Sequence, residues 1–314
     1  MSPARSPSAP LGRGAAYGLL LLVVLLWGAN WPIMKVGLTH ITPLWFATAR
    51  MLLGAGSLFA FLAATGRFAW PTRQDLPVIL SVGLLQMALF QPLVNIGLGN
   101  VAAGRASVLV YTTPLWVVPG AVLFLGEKVN PLKLAGLGLG LAGIAVLFNP
   151  AGLDWSRRAV VTGSLLLMLA SMLWAFAILH IRGHRWHLSP LQLTPWQLLL
   201  AGIVLLPFSV VFESDVDIDW SPTLIAVLLY NGPVATGFCF WAATAITRAL
   251  PAVTSSLSFL GVPVMGVVLS TLSLGEPLDL SLLLGFGLIL CGVVLVNLSD
   301  RSLSRQAPAA TPAD

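Results

Sequence analysis

The sequence predicts an all-α membrane protein, with ten transmembrane helices arranged as two inverted five-helix repeats around a central cavity. Three observations carry this prediction. The composition is too apolar for water, ten apolar runs have spanning length, and one thirty-residue stretch occurs twice.

Apolar residues make up 57% of the 314-residue chain, charged residues only 9%, and the mean hydropathy is +0.93. Soluble domains carry about 25% charged residues, so this chain lacks the charge to cover a water-facing surface. Its length corresponds to about two domains. The net charge of +5 raises nucleic acid as a partner, but the basic residues are scattered between apolar runs. They read as topology signals, and no nucleic acid is expected. Cys239 and Cys291 lie in apolar runs and read as reduced packing residues. The Pro-, Ser- and Arg-rich first fourteen residues, and a similar final dozen, read as disordered tails. No cleavable signal is expected, because the first apolar run is long enough to span.

A helix needs about 20 apolar residues to cross the hydrocarbon. The runs lie at roughly 15–36, 43–65, 76–99, 104–125, 131–149, 159–181, 190–212, 221–246, 252–274 and 280–298. Turn dipeptides separate them: Thr42-Pro43, Trp70-Pro71, Asn130-Pro131, Asn149-Pro150, Ser189-Pro190 and Ser221-Pro222. With the N-terminus in the cytoplasm, eleven lysines and arginines fall inside and five outside, which places both termini in the cytoplasm.

Residues Pro114 to Gly143 reappear at Pro263 to Gly292, shifted by 149, with twelve of thirty identical. The identities include Leu125-Gly126-Glu127 and Leu274-Gly275-Glu276. Further matches come at a shift of 147: Trp27 with Trp174, Lys35 with Arg182, and Thr42-Pro43 with Ser189-Pro190. Five crossings per unit is odd, so the halves are antiparallel, a plan typical of secondary transporters. The chain divides into a tail (1–14), repeat 1 (15–149), a linker (150–158), repeat 2 (159–298) and a second tail (299–314).

Trp27-Gly28-Ala29-Asn30, Arg50, Pro114 and the Leu-Gly-Glu turn before a Gly-rich run resemble the EamA-type repeat of the drug/metabolite transporter superfamily. The second half keeps Trp174, Pro263, Gly275-Glu276 and Gly292, lacks the W-G-x-N run, and has Gln197 at the place of Arg50. The resemblance spans about 15–298. It implies a ten-helix transporter in the inner (cell) membrane of a bacterium. Length and aromatic content are similar to those of the YddG-like aromatic amino-acid exporters. Small multidrug exporters of the same superfamily are expected to carry a glutamate in the first helix, and this chain has none there.

Pro114 and Pro263 fall near the middle of their runs. Each removes an N–H and displaces the carbonyl four residues earlier, of Val110 and of Phe259. Such breaks are tolerated in a bilayer where they face protein or water, so this pair points to a midplane cavity. Kinking of packed helices is the plainer reading. Pro32, Pro92 and Pro233 offer less symmetric breaks. Helical spacing groups Trp27, Asn30 and Met34; Gln91 and Asn95; Ser107, Tyr111 and Pro114; Ser171 and Trp174; Tyr230, Pro233, Gly237 and Trp241; and Ser256, Phe259 and Pro263. The substrate-binding candidates are Trp27, Asn30, Gln91, Asn95, Tyr111, Pro114, Ser171, Trp174, Tyr230, Trp241, Ser256, Phe259 and Pro263. Aromatic rings with a few amides and hydroxyls suit an amphipathic solute. The same polar residues would also serve as glue between helices, and the aromatics as packing. Trp45, Trp70, Trp155, Trp186 and Trp220 lie at helix ends and read as interfacial anchors.

All eleven acidic residues fall in loops, tails or helix-end turns. A midplane carboxylate commonly carries proton coupling, so its absence predicts a facilitator. His180 reads as interfacial, and His184 and His187 lack further ligands for a metal. No cofactor or metal is expected. Lys35 and Arg182 read as helix-dipole partners or carboxylate lures, and Arg50 as snorkelling, pairing with a backbone carbonyl, or touching substrate. Glu127 and Glu276 read as N-terminal caps of the fifth and tenth helices, with a gate latch as the other reading.

The leading function is alternating-access export of an amphipathic metabolite such as an aromatic amino acid. Other amino acids, nucleoside-like metabolites and hydrophobic drugs are the alternatives within transport. A non-transporting scaffold is a more remote reading. An intramembrane enzyme is disfavoured because no nucleophile–base pair or ligand cluster sits at depth. The expected partners are a small-molecule substrate and the lipid bilayer. The Gly-rich runs suit internal packing and homodimerisation equally, leaving monomer and homodimer open.

Overall fold

The computed structural model describes residues 13–126, 130–148, 158–184, 186–214, 218–249, 259 and 261–306. They form α1 (Arg13–Gly37), α2 (Pro43–Ala64), α3 (Leu76–Asn100), α4 (Ala103–Val110), α5 (Thr113–Leu125), α6 (Pro131–Phe148), α7 (Arg158–Gly183) and α8 (Pro190–Phe212). The continuous helix α9 runs through Pro222–Leu229, Tyr230–Phe238 and Cys239–Ala249, followed by α10 (Gly261–Leu274) and α11 (Leu280–Gln306). Helices α4 and α5 are the two halves of one broken crossing. Seven crossings are long and apolar enough to span alone, and three shorter apolar helices complete the ten: Pro131–Val146, Gly261–Leu274 and Leu280–Val296.

The turn dipeptides start helices for a local reason. Pro43, Pro190 and Pro222 occupy the first helical turn, where a missing N–H costs nothing. Ser221 accepts from the Leu224 amide, and Asn130 from that of Lys133. Helices also stop where the backbone must turn left-handed. Gly126 and Gly275, the repeat partners in the Leu-Gly-Glu turns, have φ of 65° and 66°, a conformation glycine adopts without strain. The last helix runs on to Gln306, past the boundary at 298 expected from hydropathy. The added residues include Leu, Arg and Gln, which are good helix formers.

Packing repeats with inverted symmetry. The contact of α1 with α10 is mirrored by α7 with α5. That of α1 with α9 is mirrored by α7 with α3, and that of α2 with α9 by α8 with α3. Two pairs lie on the pseudo-axis: α2 with α8, and α6 with α11. The last pair touches backbone to backbone. A Cβ on Gly136 would come within 2.7 Å of the Gly292 carbonyl oxygen, and one on Gly143 within 2.7 Å of that of Gly285. Small residues at such crossings let helices approach where lipid gives no hydrophobic drive. Large apolar side chains elsewhere face outward, including Leu123 (77% exposed) and Leu272 (78%). Hydrocarbon is their natural cover.

Gly136→Leu should therefore lower the melting temperature of the detergent-solubilised protein, by the equivalent of about 1–3 kcal/mol of overpacking. Gly138 is the control, because a Cβ there would meet nothing within 4 Å. Gly138→Leu should leave the melt unchanged.

Candidate functional site

Two crossings depart from α-helical hydrogen bonding near their middles. In α3 residues Val82–Leu89 form π-helical turns, and in α9 residues Tyr230–Phe238 do. The segments fall at matching places in the two repeats. Pro92 removes the amide that would reach Ala88, and Pro233 the one that would reach Leu229. Both lie within or beside a π segment, so these prolines mark a symmetric pair of irregularities. π turns are frequent at functional sites.

The break expected at Pro114 lies just before it. Helix α4 ends at Val110, Tyr111 and Thr112 form the turn, and Pro114 sits in the first turn of α5. The freed Val110 carbonyl accepts from the Thr113 hydroxyl at 3.0 Å. Thr112 bonds the Leu109 carbonyl (2.6 Å) and the Ser171 hydroxyl (3.0 Å). The Thr112-Thr113 pair preceding Pro114 is the sequence signal for this arrangement. Pro263 is the third described residue of α10, and residue 260 and those from 250 to 258 fall outside the described ones.

Around these irregularities the aromatic rings form a chain drawn from both repeats. Phe240 lies between the repeat partners Trp27 (ring centroids 5.7 Å) and Trp174 (5.6 Å). Trp27 continues to Phe259 at 5.9 Å, and Trp174 to Phe90 at 4.7 Å. Helical spacing misses Phe240 because the α-period grouping Tyr230, Pro233, Gly237 and Trp241 does not persist through π turns. Trp241 instead packs on Phe238 at 5.6 Å. Two bonds pin α1 to α9: the Trp27 indole donates to the Ala235 carbonyl (2.9 Å) and the Tyr230 hydroxyl to that of Leu26 (2.6 Å).

The polar candidates divide. Asn95 is fully buried and donates to the Pro43 carbonyl at 2.9 Å, and Ser171 is held by Thr112, so both tie helices together. Asn30 is 5% exposed, and its side-chain carbonyl has no partner among the described residues. Gln91 accepts from Arg50 at 3.0 Å. Tyr111 packs between the buried cluster around Trp31 and Leu115 and that around Leu20 and Cys239. Ser256 lies outside the described residues. Arg50, which the spacing argument leaves outside the cavity, is 2% exposed and bonds Thr236 and Met34 as well as Gln91. Among the described residues, no backbone carbonyl takes its guanidinium.

Charged side chains at the mouths serve helix ends of other crossings. The sequence argument has Glu276 capping its own following helix. Instead its carboxylate accepts from the Ala103 (2.6 Å) and Gly104 (3.0 Å) amides at the start of α4. Asp279 caps α11 through the Leu282 amide (2.6 Å) and pairs with Arg105 (2.8 Å). The Lys35 ammonium, in the last turn of α1, also reaches the carbonyls of Gly99 (3.2 Å) and Val101 (2.8 Å) at the end of α3. Glu213 accepts from the Thr42 hydroxyl and from the Leu44 (3.1 Å) and Trp45 (3.0 Å) amides at the start of α2. At the opposite face, buried Asp75 accepts from Thr72 Oγ (2.6 Å) and from the His187 (2.7 Å) and Leu188 (3.0 Å) amides. A cavity of about 200 Å³ lies beneath the Glu276 contact, between Asn100, Val160 and Leu282. Of the expected anchors, Trp70 (73% exposed) and Trp220 (64%) are open, whereas Trp45 bonds Glu213. Trp155 lies outside the described residues.

Comparison with known proteins places this architecture. The profile of the EamA-like transporter family matches residues 14–149 and 161–298. The chain is 30% identical over 276 residues to the "uncharacterized transporter YoaV" of Bacillus subtilis, covering 88% of this chain and 94% of that one. It is 30% identical over 296 residues to the "uncharacterized inner membrane transporter YedA" of Escherichia coli, covering 90% of each. A "probable terminal-alkyne amino-acid exporter" of Streptantibioticus cattleyicolor is 29% identical over 297 residues, covering 93% and 96%. A crystal structure superposes with a TM-score of 0.64 at 20% identity, covering 93% of this chain and 99% of the other, a likeness of fold.

The Asp75 clasp has a pH signature. Burial raises the carboxyl's pKa, but the bonds from Thr72, Leu188 and His187 outweigh it and hold the value at about 2. The folded value lies below the unfolded one, so this stabilisation is present above about pH 4 and is lost as pH falls toward 2. Asp75→Asn should lower neutral-pH stability by about 1–3 kcal/mol. Thermal melts across that window should show the wild type losing more stability than the variant.

Proposed function

The chain belongs to the EamA-like transporter family, and we propose that it exports an amphipathic metabolite, with aromatic amino acids as the leading class, by alternating access in a bacterial inner membrane. One observation carries the substrate class: the ring chain Phe90–Trp174–Phe240–Trp27–Phe259, drawn from both repeats and centred on two repeat-partner tryptophans. A flat apolar group packs well against such rings, which favour edge and offset contacts. The amino-acid exporter among the relatives supports export of a solute with amino-acid chemistry. The orientation follows from the charge bias, with both termini in the cytoplasm. The mouth contacts of Lys35, Glu276 and Arg105 join the outer ends of crossings and would have to part when the outer side opens. None of the eleven acidic residues falls within the ten apolar runs of the sequence, which supports a facilitator working down the solute's own gradient.

Uptake of a labelled panel into proteoliposomes, with and without a pH gradient, tests this. Aromatic amino acids should move without the gradient. If another solute class moves and they do not, the substrate reading falls; dependence on the gradient would remove the facilitator. Trp27→Ala, Trp174→Ala and Tyr111→Ala should each lower kcat/KM for the aromatic solute roughly tenfold, about 1.4 kcal/mol. Unchanged transport in all three would place the pathway elsewhere.

A further inference from the structure

Arg50 lies seven residues into α2 from Pro43, about 10 Å along the helix from its outer end. It is 2% exposed. Its Nε donates to the Thr236 hydroxyl at 3.0 Å, and its Nη1 to the Gln91 amide oxygen at 3.0 Å and the Met34 sulfur at 2.9 Å. Every one of these acceptors is neutral. Nη2 has no hydrogen-bond partner among the described residues. None of the eleven acidic residues falls within the ten apolar runs of the sequence, and among the described residues no carboxylate pairs with this guanidinium, the ion pairs being His40–Asp219 and Arg105–Asp279. Arginine stays protonated, and a buried guanidinium without an anion is unfavourable in a membrane. Its planar fork matches a carboxylate in two bonds.

The surroundings connect this charge to the aromatic chain. Gln91 follows Phe90, which packs on Trp174. Thr236 follows Ala235, whose carbonyl takes the Trp27 indole. Thr236 belongs to one π segment, and Gln91 lies two residues beyond the end of the other. Along one face of α1, Trp27 lies in the ring chain and Met34 touches Arg50. Asn30 lies between them, buried, with its carbonyl oxygen unpartnered among the described residues. Apolar surface, an acceptor and a cationic donor thus follow one another over about 10 Å of helix.

We propose that Arg50 receives the carboxylate of the transported solute and that the Asn30 carbonyl receives its ammonium group, so the site is built for a zwitterionic amino acid rather than a neutral or cationic amphipath. This rests on the exporter reading above, and it adds the charge class. The anion that completes the buried guanidinium arrives with the substrate.

The test is transport by the full-length protein in proteoliposomes with paired probes: L-phenylalanine against L-phenylalaninamide, and L-leucine against L-leucinamide. The wild type should favour each acid over its amide at least tenfold in kcat/KM. Arg50→Gln should remove at least tenfold of the acid's rate while leaving the amide within about twofold, and Arg50→Lys should retain part of the preference. Asn30→Ala should weaken phenylalanine more than 3-phenylpropionate, which lacks the amine. Gel filtration and melting temperature report whether each variant is folded. If Arg50→Gln does not fold, the wild-type ratio and Arg50→Lys decide. A wild type that carries the amide as well as the acid overturns the proposal, as does a folded Arg50→Gln that keeps the wild-type ratio. Movement of leucine without phenylalanine would sink the aromatic reading alone, and the leucine pair would then decide Arg50. Transport confined to neutral or cationic solutes would sink the Arg50 site and leave transport standing.

Discussion

In hydrocarbon, a backbone amide or carbonyl without a partner cannot turn to water, and each helix end presents four of them. This chain meets that constraint with charged side chains from other crossings. Glu213 at the end of α8 serves the start of α2, and Glu276 beyond α10 serves the start of α4. Lys35 at the end of α1 serves the last carbonyls of α3. Asp75 before α3 serves the turn that opens α8. Because acceptor and donor come from different crossings, these bonds terminate helices and attach them to one another at the same time.

That coupling affects how the fold can move. The short turn after Asn100 is held from two sides, by Lys35 of the first repeat and by Glu276 and Asp279 of the second. Separating the repeats at this face breaks charge-assisted bonds and exposes helix ends, but only where water can take over. The Gly-to-Gly crossing of α6 and α11 has no such exchange available. Its contacts are backbone against backbone, and nothing replaces them if the helices part. The molecule therefore joins a tightly packed seam to mouths whose bonds can be exchanged for solvent, a combination that the proposed rocking of one repeat against the other would use.

The frame was legible in the sequence because hydropathy and duplication are themselves periodic signals. The crossings, the helix starts at Ser-Pro and Thr-Pro, and the left-handed glycines of the two Leu-Gly-Glu turns all follow from local chemistry. The site was less legible, for two reasons. π turns change the register, so Phe240 and not Trp241 stands between Trp27 and Trp174. Capping across crossings also defeats arguments from sequence proximity. Glu276 is four residues from the start of α11 yet binds amides 172 and 173 positions away. Pro92 and Pro233 did carry information. The prolines are not repeat partners, but the irregular turns that they accompany coincide in the two repeats.

Symmetry also shows what is not shared. Helices α2 and α8 meet on the pseudo-axis, and the repeat partner of Arg50 is Gln197, buried and neutral. Repeat-partner tryptophans flank Phe240 almost equally, at 5.7 and 5.6 Å. A solute gripped by the rings alone would see two nearly equivalent halves and have little reason to prefer one orientation. A single guanidinium on one side of the axis breaks that equivalence. In the proposed site it would supply a pole, and so select solutes that carry a matching pole at one end of an apolar body. In the proposed site the duplicated frame would supply the motion, and the unduplicated Arg50 charge the direction in which the solute lies.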